Sequence, residues 1–69
     1  MTEDEEVLRS FCGFYDVQKD DLLSTKRGKL VEIRKQIAEK LLSEGWSYAR
    51  IGRLLNRHHT TIMHLLGAR

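Results

Sequence analysis

The chain contains no proline, so no break in it is marked by that residue, and its boundaries must be read from glycines and helix caps. A single cysteine, Cys12, excludes an internal disulfide and a cysteine-rich zinc module. Cys12 lies among apolar neighbours, where a buried, inert thiol is expected. No apolar run approaches the roughly 20 residues that span a bilayer, and the acidic start does not resemble a signal peptide. No Gly-x-x-x-x-Gly-Lys-Ser/Thr loop is present, which excludes phosphate-loop nucleotide chemistry. Aromatic residues are few. Phe11, Phe14, Trp46 and Tyr48 are not interleaved with bases as a stacking surface would require, and are assigned to the core. There is no repeat and no low-complexity tract.

What remains is one small domain of 69 residues. A chain this short buries only ~60% of the surface its unfolded form exposes, and it has no room for a deep substrate cleft. Its net charge of +2 is unevenly spread. Residues 1–21 sum to −5 and residues 22–69 to +7, so one end repels phosphate and the other attracts it. Met1 ahead of a capped helix is read as the start of a complete gene product.

The pattern is helical throughout. Thr2-Glu-Asp-Glu5 fits a capping box that opens a helix running to about Tyr15, with Val7, Leu8, Phe11, Cys12, Phe14 and Tyr15 on its apolar side. Residues 16–23 read as a turn and a short helical piece, and residues 24–28 as a basic loop carrying Lys26 and Arg27. From Lys29 to Glu44, Leu30, Ile33, Ile37 and Leu41 form one stripe, and Gly45 is the stop. Arg34 falls inside the apolar arc near the helix start and is expected to point past the core. Trp46 is expected to anchor the core.

Residues 47–67 carry the function. Ser47 caps a helix from Tyr48 to about Leu55, with Ala49, Ile51, Leu54 and Leu55 facing inward. Gly52 in mid-helix costs roughly 1 kcal/mol against alanine, which a close helix crossing would explain. A last helix is expected from about His58 or His59 to Gly67. Ile62, Leu65 and Leu66 share its inner face, while Thr60 and His64 face outward and Thr61 flanks them. Two short helices around a tight turn, the second opening with basic and hydroxyl side chains, are the form in which a recognition helix is presented to a DNA major groove. Thr60 is a candidate cap and a candidate phosphate or thymine contact.

Asn56-Arg-His-His-Thr-Thr-Ile-Met-His64 resembles the recognition motif of the bacterial replication initiator family DnaA, Gly-Gly-Arg-Asp-His-Thr-Thr-Val-x-His. Ile51-Gly-Arg is similar to the family's Ile-Gly, Asp21-Leu-Leu-Ser-Thr-Lys-Arg27 to its Asp-Leu-Leu-Ser basic loop, and Arg34-Lys-Gln-Ile-Ala38 to its Arg-Gln-x-Ala segment. The resemblance implies an all-α, Trp-repressor-like domain that binds a short asymmetric DNA box as a monomer, its basic loop in the minor groove and its helix-turn-helix in the adjacent major groove. It implies DNA-binding roles for Arg27 (the minor-groove arginine), Lys35, Gln36, Arg57, His59, Thr60, Thr61 and His64. Charge and position add Lys26, Asn56 and His58 to the expected DNA-binding set, with phosphate contacts from Lys26, Arg27, Lys35 and Arg57. His58 stands where the family has aspartate, Lys35 where it has arginine, and Asn56 where it has glycine. These departures bear on base preference, on fork geometry and on the turn.

The expected partner is double-stranded DNA, with no membrane and no cofactor, in the cytoplasm of a bacterium (at the nucleoid) or of a phage-infected host. His58, His59 and His64 are spaced one, five and six apart. A helical metal pair needs three or four, so no metal is expected. Cys12 with a distant histidine makes no nucleophile, and an enzyme is the least expected class. The alternatives are a helix-turn-helix regulator or transposase-type binder of an unrelated operator, and a protein-interaction module whose acidic first helix binds a basic partner.

Overall fold

The computed structural model describes residues 2–24 and 28–67. Among them are five helices and no strand: α1 (Glu3–Tyr15), α2 (Lys19–Ser24), α3 (Gly28–Ser43), α4 (Tyr48–Leu55) and α5 (His59–Leu65). α1, α3 and α4 agree with the sequence reading to within about a residue, and α5 ends at Leu65, two residues before the expected Gly67. The difference at α2 is that Ser24, expected in the loop, is still helical. Lys26 and Arg27 of the basic loop lie outside the described residues.

Short polar side chains start α1 and α4. The Thr2 hydroxyl accepts from the Glu5 amide at 3.2 Å, and the Ser47 hydroxyl accepts from the Arg50 amide at 3.1 Å. Each such cap is worth about 1 kcal/mol, because it satisfies an amide that the helix leaves free. Three helices end in one way. Asp16, Gly45 and Asn56 take left-handed backbone angles, with φ of 56°, 95° and 55°. The residue after each sends its amide back five positions: Val17 to Cys12 O at 3.0 Å, Trp46 to Leu41 O at 3.0 Å, and Arg57 to Gly52 O at 2.8 Å. Asparagine tolerates this conformation, so the turn keeps its form with Asn56 in place of glycine.

The core is aliphatic. Leu8 comes from α1, Leu22 from α2, Ile33, Ile37, Ala38 and Leu41 from α3, Ile51, Leu54 and Leu55 from α4, and Ile62 from α5. Every helix contributes, and α3 contributes most. Burying a leucine or isoleucine fully contributes about 1.5–3 kcal/mol, which must offset the ordering of a short chain.

Three expectations about the interior are corrected. Phe14 is 82% exposed, because it lies roughly 120° around α1 from Leu8. Ala49 is exposed, because it sits across α4 from Ile51 and Leu55. Trp46 is only half-buried, and packs its ring under the Arg50 guanidinium, 3.6 Å from the ring centroid. Phe11, Cys12 and Tyr48 are half-buried and pack against the core from its edge. Burial still raises the Cys12 thiol above its ordinary value, against the opposing charge of Lys19.

The acidic start of the chain is tied to α4. Arg50 donates to Asp4 at 2.9 Å and lies 3.9 Å from Glu3. The Asp4 hydrogen bond raises the Arg50 guanidinium above its usual range, and the charges of Asp4 and Glu3 add to the effect. No helix among the described residues is long and apolar enough to cross a membrane.

Candidate nucleic-acid interface

The site is built on α4, its turn and α5. The crossing is as close as the mid-helix glycine predicts. A Cβ added at Gly52 would meet the Arg57 carbonyl oxygen at 2.5 Å, and the backbone of His58 and His59 at 3.5 and 3.4 Å. Gly52 therefore lets the turn lie against α4, and Ile62 locks α5 down from its inner face. The outer face carries His59, Thr60, Thr61 and His64, all exposed.

Thr60 was expected as a candidate cap, but His58 caps α5. Its Nδ1 accepts from the Thr60 amide at 3.3 Å and lies 2.8 Å from the Thr60 hydroxyl. The reason is backbone conformation: His58 is extended, with φ −67° and ψ 148°, whereas Thr60 is already helical. With Nδ1 accepting, the ring proton sits on Nε2, which remains a donor. The His58 and His59 rings lie together, with centroids 4.4 Å apart.

The other expected site residues divide. Asn56 is exposed at the turn. Lys35 follows Val31 by one helical turn on α3, and Val31 lines a cleft of about 330 Å³ with Arg34, Arg57, Thr61, Ile62 and Leu65. Lys35 is therefore on the α5 side of α3. Gln36 is on another flank, where its Oε1 accepts from the Tyr15 hydroxyl of α1 at 3.0 Å. Arg57 is half-buried. Its Nη1 donates to Leu23 O at 2.6 Å and to Asn56 O at 3.0 Å. Its Nη2 is buried with no hydrogen-bond partner among the described residues.

Arg34 is corrected outright. It does not point past the core. It is 5% exposed, and its Nη1 donates to Leu22 O at 2.6 Å. Burial holds its guanidinium below the ordinary value, and the nearby charge of Arg57 adds to this. The sequence signal was its place inside the apolar arc. Arg50 carried no comparable signal, because its partners Asp4 and Trp46 are set by packing.

An exposed recognition helix on a buried brace, with the bases gathered in residues 22–69, defines a helix-turn-helix DNA-binding domain. The sequence model of the family described as Bacterial dnaA protein helix-turn-helix matches residues 5–67, nearly the whole chain. The chain belongs to that family, whose domains bind double-stranded DNA and are not catalytic ones. No curated protein and no solved structure matches the chain.

Proposed function

We propose that the chain reads a short, asymmetric, DnaA-box-like DNA site as a monomer. α5 enters the major groove, and the Lys26–Arg27 segment enters the adjacent minor groove. The observation that carries this reading is the exposed row of His59, Thr60, Thr61 and His64 on a helix held by the Gly52 crossing, within a family of DNA-binding domains. Threonine methyls suit thymine, and histidine ring nitrogens suit base edges or phosphate. Lys35 and the basic loop supply charge for phosphate, and Gln36 stands at the position that follows the family's central-helix arginine. At the nucleoid or in a phage-infected cell, such a reader competes with an initiator for its boxes or regulates transcription from them.

Fluorescence anisotropy on a DnaA-type box and a scrambled duplex, over a salt series, tests this. Preference for the box supports the reading. Equal, steeply salt-dependent binding to both would replace it with an unrelated operator, to be found by selection from random sequence. No binding at low salt would end it and bring the interaction module forward. That second reading is favoured by one observation, the exposure of Phe14 on the acidic helix.

A further inference from the structure

Two arginines from distant parts of the chain converge on the end of α2. Arg34 of α3 donates to Leu22 O, and Arg57 of the α4–α5 turn donates to Leu23 O, each at 2.6 Å. These are successive carbonyls in the last turn of a six-residue helix. The last carbonyls of a helix have no partner within it, and they carry the negative end of its dipole. A helix this short is not stable alone, so its end depends on such ties. The arrangement brings two like charges together, and burial and Arg57 both disfavour the charged form of Arg34. The shared acceptor turn is what holds them there. The same Arg57 nitrogen also binds Asn56 O, at the left-handed residue that ends α4.

We infer that Arg57 serves DNA binding as a positioning residue and not as a phosphate contact: with Arg34 it clamps the end of α2 to the recognition-helix turn, so that the two parts of the chain on either side of the clamp meet DNA in one fixed relation. The inference rests on the DNA-binding reading above. It differs from that reading in what Arg57 does. Phosphate accepts lysine well as a point charge. Both carbonyls are reached by one nitrogen, Nη1, held in place by a planar, half-buried guanidinium, and lysine's flexible, strongly hydrated ammonium does not reproduce that position.

The experiment is box and scramble anisotropy on the full chain and on Arg57→Lys and Arg57→Gln, each also in a Lys26→Ala, Arg27→Ala background, with circular dichroism melts alongside. Wild-type binding is measured first, so failure of the DNA reading itself is seen before any variant is compared. The clamp predicts that lysine and glutamine both weaken box binding by roughly tenfold or more, the scale of one lost charged hydrogen bond, in protein that is still folded. It predicts that most of this loss disappears once Lys26 and Arg27 are gone, because costs that act through one another do not add. A direct phosphate contact predicts otherwise: near wild-type affinity with lysine, and with glutamine a salt slope shallower by about 0.9. That result overturns the inference, and so does an undiminished cost in the loop-neutral background. A purely structural role would lower the melting temperature and leave box preference in the folded protein unchanged, which also overturns it. If the variants unfold, the wild-type chain decides. A scalar coupling across the Arg57–Leu23 hydrogen bond persists on DNA if Arg57 is a clamp, and vanishes if it moves to phosphate.

Discussion

Gly52 shows how one missing atom positions a functional turn. In an open helix, Gly52→Ala would stabilise by roughly 1 kcal/mol. Here the added Cβ meets backbone at 2.5 Å, which no side-chain rotation relieves. Overpacking of this kind costs about 1–3 kcal/mol, so a net loss is expected, read as a melting temperature lower by several degrees. Asp4 is a milder case. It and Arg50 are 33% and 35% exposed, so Asp4→Asn is expected to cost less than about 1 kcal/mol in urea titrations, and less still at high salt. Cys12 makes a pH prediction. Its folded thiol is raised above the unfolded value of about 8.5. Its contribution to stability is therefore complete below that pH and is lost as pH rises through the folded value. Iodoacetamide should modify the folded chain more slowly than the unfolded one.

At the scale of the element, the histidine cap of α5 carries a testable consequence. Aspartate caps helix starts well, and its negative charge suits the positive end of the dipole. His58→Asp is expected to raise stability by about 0.5–1 kcal/mol in thermal melts. It also replaces the Nε2 donor with acceptors, so the base selected at that position should move toward one that donates, such as cytosine. A more stable chain with an unchanged selected sequence would leave His58 as a cap alone. The α4 end was legible up to a point. Asn56 in place of glycine raised the question of an altered turn, and the left-handed conformation with the Arg57 to Gly52 bond answers it.

At the scale of the whole molecule, one large apolar side chain is left on the surface among the described residues. The bases lie mostly in residues 22–69, while Phe14 lies beside a cleft lined also by Val7, Phe11, Lys40, Glu44 and Trp46. Because Phe14 is 82% exposed, Phe14→Ser is expected to change stability by no more than about 0.5 kcal/mol and to leave box binding unchanged. A change in binding would place that side of the molecule in the DNA contact. Removing residues 1–6 is a less clean operation than the sequence suggests, because it also takes away the Thr2 cap and the Asp4 partner of Arg50.

The sequence by itself determined what depends on near neighbours. Caps at Thr2 and Ser47, the stop at Gly45, the stripe from Leu30 to Leu41 and the helix-turn-helix of residues 47–67 all follow from interactions within about four positions, and the motif there was enough to indicate the family. Tertiary structure alone decided which side chains are withdrawn and which are left free. Arg34 and Arg57 converge on carbonyls 12 and 34 residues away, and Arg50 finds Asp4 across 46. Phe14 is left outside although its helix is apolar on the other side. The physical reason is that a long basic or aromatic side chain is compatible with core edge, clamp or surface, and only the packing of distant helices selects among them.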